Sequence, residues 1–489
     1  MNRMTILALL LLPLGQLAAR ADDPSAPRPR HLFLDPAFID ESDGVALHAN
    51  PPQRRDVVIR HDRPWEKLMI SFFLTVLDER DKLRMWYICR DAQNRPNVAY
   101  AESTDGLAWT KPNMGIVDYD GSTANNLVGM SSLEGVVFRD PNAKAEERYA
   151  YCTHLIDEGI VRFHSPDGLR WSRDAQPLLR LGADTQNVTL WDDRLGQYVL
   201  YLRGWEERAD GKLYRKVVRA ATSDITRPMS EGPSGGSRYL WGKEKMPVID
   251  REFPTVFATD EHDPPDSDVY NLSAQRYPLD PRWYLGFPSL FQRERNRSDG
   301  KLEVQFTGGR DGIHWHRYDR VPYAALGLAD SDSQNMTFMG TGMVVRGDEI
   351  WQYGTGFHSR HGDVAARKLR TDGIIYRYTQ RLDGFVSLDF DSAGGSCRTA
   401  PVKLDGPRLH VNVDTGALGT LRVALLDAAG EPIAGYTLDD CRVLRTNATR
   451  AVVAWRAGDD LTSLAGQQVR LALVGARAKL YSFMFDGGP

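Results

Sequence analysis

The sequence predicts an all-β protein: a five-bladed β-propeller followed by a small C-terminal β-sandwich. Three observations predict it. A turn motif recurs, as Ser103-Thr104-Asp105-Gly106-Leu107-Ala108-Trp109, Ser165-Pro166-Asp167-Gly168-Leu169-Arg170-Trp171 and Arg310-Asp311-Gly312-Ile313-His314-Trp315, with a weaker copy at Thr222-Ser223-Asp224-Ile225. Asp-Gly is a tight-turn signal, and a Trp just beyond it can pack back on the preceding strand. Each copy follows a strand-like run, such as Val98-Ala99-Tyr100-Ala101 or Val217-Val218-Arg219-Ala220, and no segment keeps a helical apolar period over several turns. The copies stand about 60 residues apart with one longer gap, a period that suits four-stranded blades around an axis. The third observation is a change of texture after Leu382-Asp383-Gly384-Phe385, where shorter, Trp-poor strands take over.

Residues 1–21 read as an export signal. Asn2-Arg3 gives a positive start, Ile6 to Leu14 is mostly Leu, and Ala19-Arg20-Ala21 is a small-x-small cleavage site. The apolar run is too short to span a bilayer, and no other segment is long and apolar enough. The mature chain is therefore expected to start at Asp22, secreted or periplasmic. Residues 22–30 are rich in Asp, Pro, Ser and Arg and read as a disordered lead-in.

Residues 31–390 carry the blades. First-strand candidates begin after Arg63-Pro64-Trp65-Glu66, at Glu134 to Asp140, at Asp184 to Trp191, at Val269 to Ala274 and at Gln334 to Met339. Aromatic second strands follow, among them Leu83-Arg84-Met85-Trp86-Tyr87 and Glu349-Ile350-Trp351-Gln352-Tyr353. Residues 394–489 alternate strands such as Leu421 to Leu426 and Leu480 to Phe485 with polar turns, the texture of a sandwich.

Lys and Arg number 61 against 65 Asp and Glu, a net charge of -4 with no basic stripe, so nucleic-acid binding has no electrostatic footprint. The four cysteines, Cys89, Cys152, Cys397 and Cys441, form no Cys-x-x-Cys pair. Export permits disulfides, and Cys397 with Cys441 can pair or stay as buried thiols.

Candidate chemistry centres on Phe138-Arg139-Asp140-Pro141, a charged pair where an apolar run stops. Asp140 reads either as a pocket carboxylate or as the first residue of a surface turn, since Asp, Pro and Asn are all turn formers. Glycoside cleavage needs one protonated carboxyl and one ionised carboxylate in different environments. Further candidates are Asp62 and Glu66, each equally readable as an ion-pair or strand-entry residue, and Asp184, which shares a strand face with Gln186. Trp65 offers a sugar-stacking ring. The amides of Asn187, Asn271 and Asn335, near blade starts, read as sugar-hydroxyl ligands or as satisfiers of backbone groups. His358-Ser359-Arg360-His361 and the acidic loop Asp260 to Asp268 lack the spacing of metal or calcium sites, so no metal and no cofactor is expected.

With Phe-Arg-Asp-Pro at the second blade, the chain resembles the invertase and levanase family of glycoside hydrolases (family 32) and the related arabinanase-type family. Arg-Pro-Trp-Glu, Asp-x-Gln-Asn-Val, Tyr-Leu-Gly-Phe-Pro, Leu-Asp-Gly-Phe and Leu-Tyr-Ser-Phe bring it nearer to exported bacterial proteins with a family-32 N-terminal domain. The resemblance implies exo cleavage of a poly- or oligosaccharide in an axial funnel, with Asp140 as transition-state stabiliser and Arg139 beside it. The family's Trp-Met-Asn-Asp-Pro-Asn-Gly and Glu-Cys motifs are absent. Their places hold Arg60-His61-Asp62-Arg63-Pro64-Trp65-Glu66 and Asp184-Thr185-Gln186-Asn187. The second reading is a carbohydrate-binding propeller without turnover.

Overall fold

The computed structural model describes residues 29–130, 134–229, 240–241, 246–247, 253–296, 298–365 and 371–486. The signal region 1–21 lies outside them. The fold is nearly all β: among the described residues the α-helix is a single short one, His361–Ala365. Among the described residues no helix is long and apolar enough to cross a membrane.

From residue 69 onward the chain lays down antiparallel meanders. Met69–Asp78, Leu83–Arg90, Pro96–Ser103 and Leu127–Val128 pair in sequence order. Phe138–Arg139, Tyr149–Leu155, Gly159–Ser165 and Ser172–Arg173 repeat the pattern, as do Val188–Asp192, Gln197–Glu207, Leu213–Thr222 and Thr255–Phe257. The next meander is broken across its middle. Ser267–Asn271, Ser289–Asn296 and Asp299–Val304 form one part; Gln275–Arg276, Tyr284–Gly286, Thr307–Gly309 and His316–Arg317 form the other. The last comprises Met336–Met339, Glu349–Phe357 and Ile374–Arg381, and its outermost strand is Gln53–Ile59 from the start of the chain.

The first strands of these meanders touch in a closed circuit. Val137 N donates to Thr75 Oγ1, Asn187 N to Glu134 O, Thr185 Oγ1 to Tyr270 O and Ser273 Oγ to Met339 O. Thr341 Oγ1 returns to Thr75 Oγ1 at 3.1 Å. This face-to-face stacking explains the sequence texture. A strand covered on both faces is apolar throughout, and Leu83–Arg90 is buried at every position but its last. Gln468–Ala476, near the C-terminus, alternates instead, with one face covered.

The recurrent turns lock one meander to the next. In the first copy Asp105 Oδ1 accepts from Leu107 N and Ala108 N, and Gly106 N donates to Ser103 Oγ. Asp167 and Ser165 repeat the arrangement, and Asp311 accepts from Ile313 N and His314 N. Each Gly carbonyl then accepts from an aromatic side chain on a neighbouring second strand: Gly106 O from Tyr353, Gly168 O from Trp86 Nε1 and Gly312 O from Tyr201. Only glycine fits. Gly312 has φ +68, and a Cβ there would stand 2.3 Å from the Tyr201 hydroxyl. Trp171 packs edge-on to Tyr151, on the second strand of its own meander rather than the strand just before the turn, whereas Trp109 reaches across to Tyr353.

The C-terminal strands form two sheets around one core. Val45–Ala49, Val386–Phe390, Ala478–Asp486, Arg408–Asp414 and Asn447–Val452 make one; Ile39–Asp43, Gly395–Thr399, Gln468–Ala476 and Val402–Lys403, with Thr420–Asp427, make the other. Residues 31–49 thus pair here, although they precede the meanders in sequence. Phe33 and Phe38 are buried in the same cluster as Trp455 and Phe483. Cys397 and Cys441 lie in that core as separate free thiols.

Candidate functional site

All first strands run the same way around the circuit, so their N-terminal ends share one mouth and their C-terminal ends the opposite rim. Glu134 stands at the mouth. It precedes Gly135, where a Cβ would lie 2.2 Å from Cys152 O, so the chain hugs the second strand at that point. The Glu134 carboxylate is one-third exposed and lies 3.5 Å from Nδ1 of the buried His154. Asp184 enters the mouth from the next meander. Its side chain is 39% exposed and its Oδ1 accepts from Arg203 Nη1 at 2.9 Å.

Arg203 is 1% exposed, and also donates to Asp184 O and, at 2.6 Å, to Tyr270 O. Its guanidinium lies 4.5 Å over the Tyr270 ring, a contact that favours a desolvated cation. Behind it Arg215 and Arg293 share the fully buried Asp268. A buried guanidinium without a carboxylate partner would be costly, and here each has one.

The floor is aromatic. Phe72 stacks on Phe338 at 4.8 Å and meets Tyr270 edge-on at 6.3 Å. The Tyr270 hydroxyl lies 3.1 Å from His361 Nε2, and His361 Nδ1 lies 2.8 Å from Ser298 O. A carbonyl can only accept, so Nδ1 carries the proton and Nε2 accepts from Tyr270. Burial pushes the imidazole down to about 4, helped by Arg215 and Arg203, against the Ser298 carbonyl and Asp184. Burial likewise raises the Tyr270 hydroxyl; Arg203 and Arg215 oppose the rise, and Asp184 and Glu134 both add to it. Both carboxylates therefore act on one hydroxyl.

Of the residues read from sequence, Asp184 is at this mouth. Gln186 lies beneath it, 1% exposed, its Oε1 accepting from Asn271 Nδ2 and Ser273 Oγ. Asn187 Nδ2 donates to Ala183 O, Thr185 O and Glu134 O, which ties the Asp184 loop to Glu134. Asn335 Nδ2 donates to His358 O. These amides satisfy neighbouring backbone and side-chain groups.

The other acids sit elsewhere. Asp140 is at the opposite rim, where its Oδ1 accepts from Asn142 N and from the Tyr198 hydroxyl at 2.6 Å. Tyr198 pairs with Trp191, near the C-terminal end of its first strand, while Asp184 precedes that strand's start. Arg139 beside Asp140 is exposed. Glu66 is turned into its own meander, 0% exposed, bonded to Tyr87 and Lys111. Asp62 is a surface partner of the same Lys111. Trp65 is 7% exposed, its Nε1 donating to Asn126 Oδ1, so its ring is packed. In the 260–268 loop Asp263 is tied to Arg317 and Asp260 to Arg320.

Sequence reasoning passed over Glu134, Arg203 and Tyr270 as site residues. The signal for Arg203 was present: Tyr198-Val199-Leu200-Tyr201-Leu202-Arg203 is an apolar strand carrying one charge, and such a charge needs a partner.

No family model matches the chain, and no curated protein matches it in sequence. Solved structures of similar chain course include the exo-inulinase of Aspergillus awamori, 10% identical, with a TM-score of 0.39 over 88% of this chain and 100% of that one. The catalytic domain of the GH62 alpha-L-arabinofuranosidase of Coprinopsis cinerea is 9% identical, with a TM-score of 0.41 over 68% of this chain and 97% of that one. A glycoside hydrolase family 43 arabinoxylan arabinofuranohydrolase from Bacillus subtilis is 10% identical, with a TM-score of 0.36 over 86% and 96%. Likenesses this loose assign no chemistry, which rests on the residues at the mouth.

Proposed function

We propose that the protein is an exported glycoside hydrolase that cleaves a poly- or oligosaccharide, exo-fashion, at the mouth of a five-bladed propeller, with a C-terminal sandwich packed beside it. The observation that carries the reading is that two part-exposed carboxylates, Glu134 and Asp184, lead into adjacent first strands and both act on the Tyr270 hydroxyl. Asp184, ion-paired to the buried Arg203, serves as the anionic partner that meets the sugar or its attacking water. Glu134 serves as the proton donor to the leaving oxygen. Phe72, half-buried and backed by Phe338, supplies the apolar face on which a sugar ring rests. The closed circuit of first strands supports the blade count, and the two C-terminal sheets around one core support the sandwich. Export rests on the sequence of residues 1–21.

The test is release of reducing sugar from a fructan, arabinan and sulfated-glycan panel. Glu134→Gln and Asp184→Asn should each abolish it, and full activity in either would overturn the assignment. The second reading, binding without turnover, is favoured by the absent Trp-Met-Asn-Asp-Pro and Glu-Cys motifs. A glycan bound by the wild type with no product formed would select it.

A further inference from the structure

A cavity of about 470 Å³ lies away from the mouth, where the last meander meets the C-terminal sheets. Two sheet edges flank it. Gln53–Ile59 is last in its sheet and Asn447–Val452 is last in its own. An edge strand offers unpaired backbone N–H and C=O groups. The charges on the wall cancel, Arg55 and Arg381 against Asp348 and Glu349. Arg381 is already committed to Asn412, Asn447 and Val413 O. Arg55 is not: Nε donates to Thr379 Oγ1 at 3.1 Å, and its two terminal nitrogens have no partner among the described residues. Asp348 takes the Thr449 hydroxyl through Oδ1, which links the two regions across the cavity and leaves Oδ2 open.

We propose that this cleft is a second carbohydrate site, which holds a neutral oligosaccharide chain without cleaving it. The wall presents free donors and free acceptors together, which suits a ligand whose hydroxyls are both. An anion would want a surplus of positive charge, and there is none. An extended peptide needs apolar pockets for alternate side chains, and the apolar wall is confined to Pro51 and Ala448. The volume falls in the ordinary range of small-molecule sites, about 300–1,000 Å³. The choice of a neutral glycan rests on the hydrolase reading above.

The full chain is tested by affinity electrophoresis and calorimetry on soluble fructan and arabinan, with a sulfated glycan as charged control. Glu134→Gln should bind the neutral chain as the wild type does, with no product. The double variant Gln53→Ala, Arg55→Ala should keep wild-type turnover of a small aryl glycoside while its Kd for the polymer rises about tenfold. Ala448→Trp, which fills the cleft from the other wall, should weaken polymer binding equally. Unchanged polymer affinity in both cleft variants, no binding of either neutral glycan by the wild type, or tighter binding of the sulfated one would each overturn the proposal. Loss of turnover alone, with cleft-dependent binding intact, would strike only the hydrolase reading.

Discussion

The two rims of the first strands treat their carboxylates differently. At the C-terminal rim Asp140 is buried, 7% exposed, and its Oδ1 takes both a backbone N–H and a tyrosine hydroxyl. Asp192, at the same rim, accepts from Tyr284 and lies between Arg194 and Arg276. Burial alone would raise the Asp192 carboxyl, but Tyr284, Arg194 and Arg276 outweigh it and bring it to about 2. At the mouth, Asp184 and Glu134 are each gripped from one side by a buried cation-forming side chain and open on the other. A buried, hydrogen-bonded carboxylate stabilises a fold. A carboxylate that also reaches solvent has a lone pair left for a substrate.

The sharpest way to break this contrast is by activity. Glu134→Gln and Asp184→Asn should each lower kcat by about 10³-fold or more, measured on the substrate the panel identifies, whereas Asp140→Ala should stay within about twofold of wild type. The reverse result would move the site to the other rim.

The next effect is in pH. His361 has its folded pKa depressed from 6.5 to about 4, so the folded chain binds fewer protons than the unfolded one between those values. The stability from its neutral form is complete above 6.5 and is lost as the pH falls toward 4. Relative to His361→Gln, the wild type should lose about 3 kcal/mol between pH 7 and 4 in denaturant unfolding. Asp192 keeps its contribution down to pH 3.8 and loses it only as the pH falls through about 2. The mouth should therefore weaken first on acidification. If the titration removes stability only below pH 4, the environment assigned to His361 is wrong.

Smaller effects sharpen the rim's structural role. Gly312→Ala, strained by its φ and by the Tyr201 hydroxyl, should cost about 2–3 kcal/mol with kcat unchanged. Asp140→Ala should cost about 1–2 kcal/mol, since it leaves the Tyr198 hydroxyl and Asn142 N–H to find new partners. Chemical unfolding reads both.

The same contrast explains what the sequence disclosed. Turn chemistry is local, so Asp105, Asp167 and Asp311 announced their turns through the Gly and Trp beside them. The all-β character followed from strand texture for the same reason. The mouth is assembled from residues far apart: Glu134 meets His154, Asp184 meets Arg203, and Tyr270 meets His361. No spacing rule links them. Asp140 drew notice because its neighbours form a recognisable string, and a turn needs that string as much as a pocket does. Residues 31–49 were equally silent, because their partners lie at the far end of the chain.

The last meander takes its outer strand from Gln53–Ile59, paired with residues more than 300 positions later. Contacts at that separation form late, since the loop between them must close first. The ring is therefore sealed only when both extremities of its chain are present together. Until then Ile374–Arg381 has a bare edge, open to pairing with another molecule. Dilution, or a partner that shields this edge, should raise the yield of refolded protein.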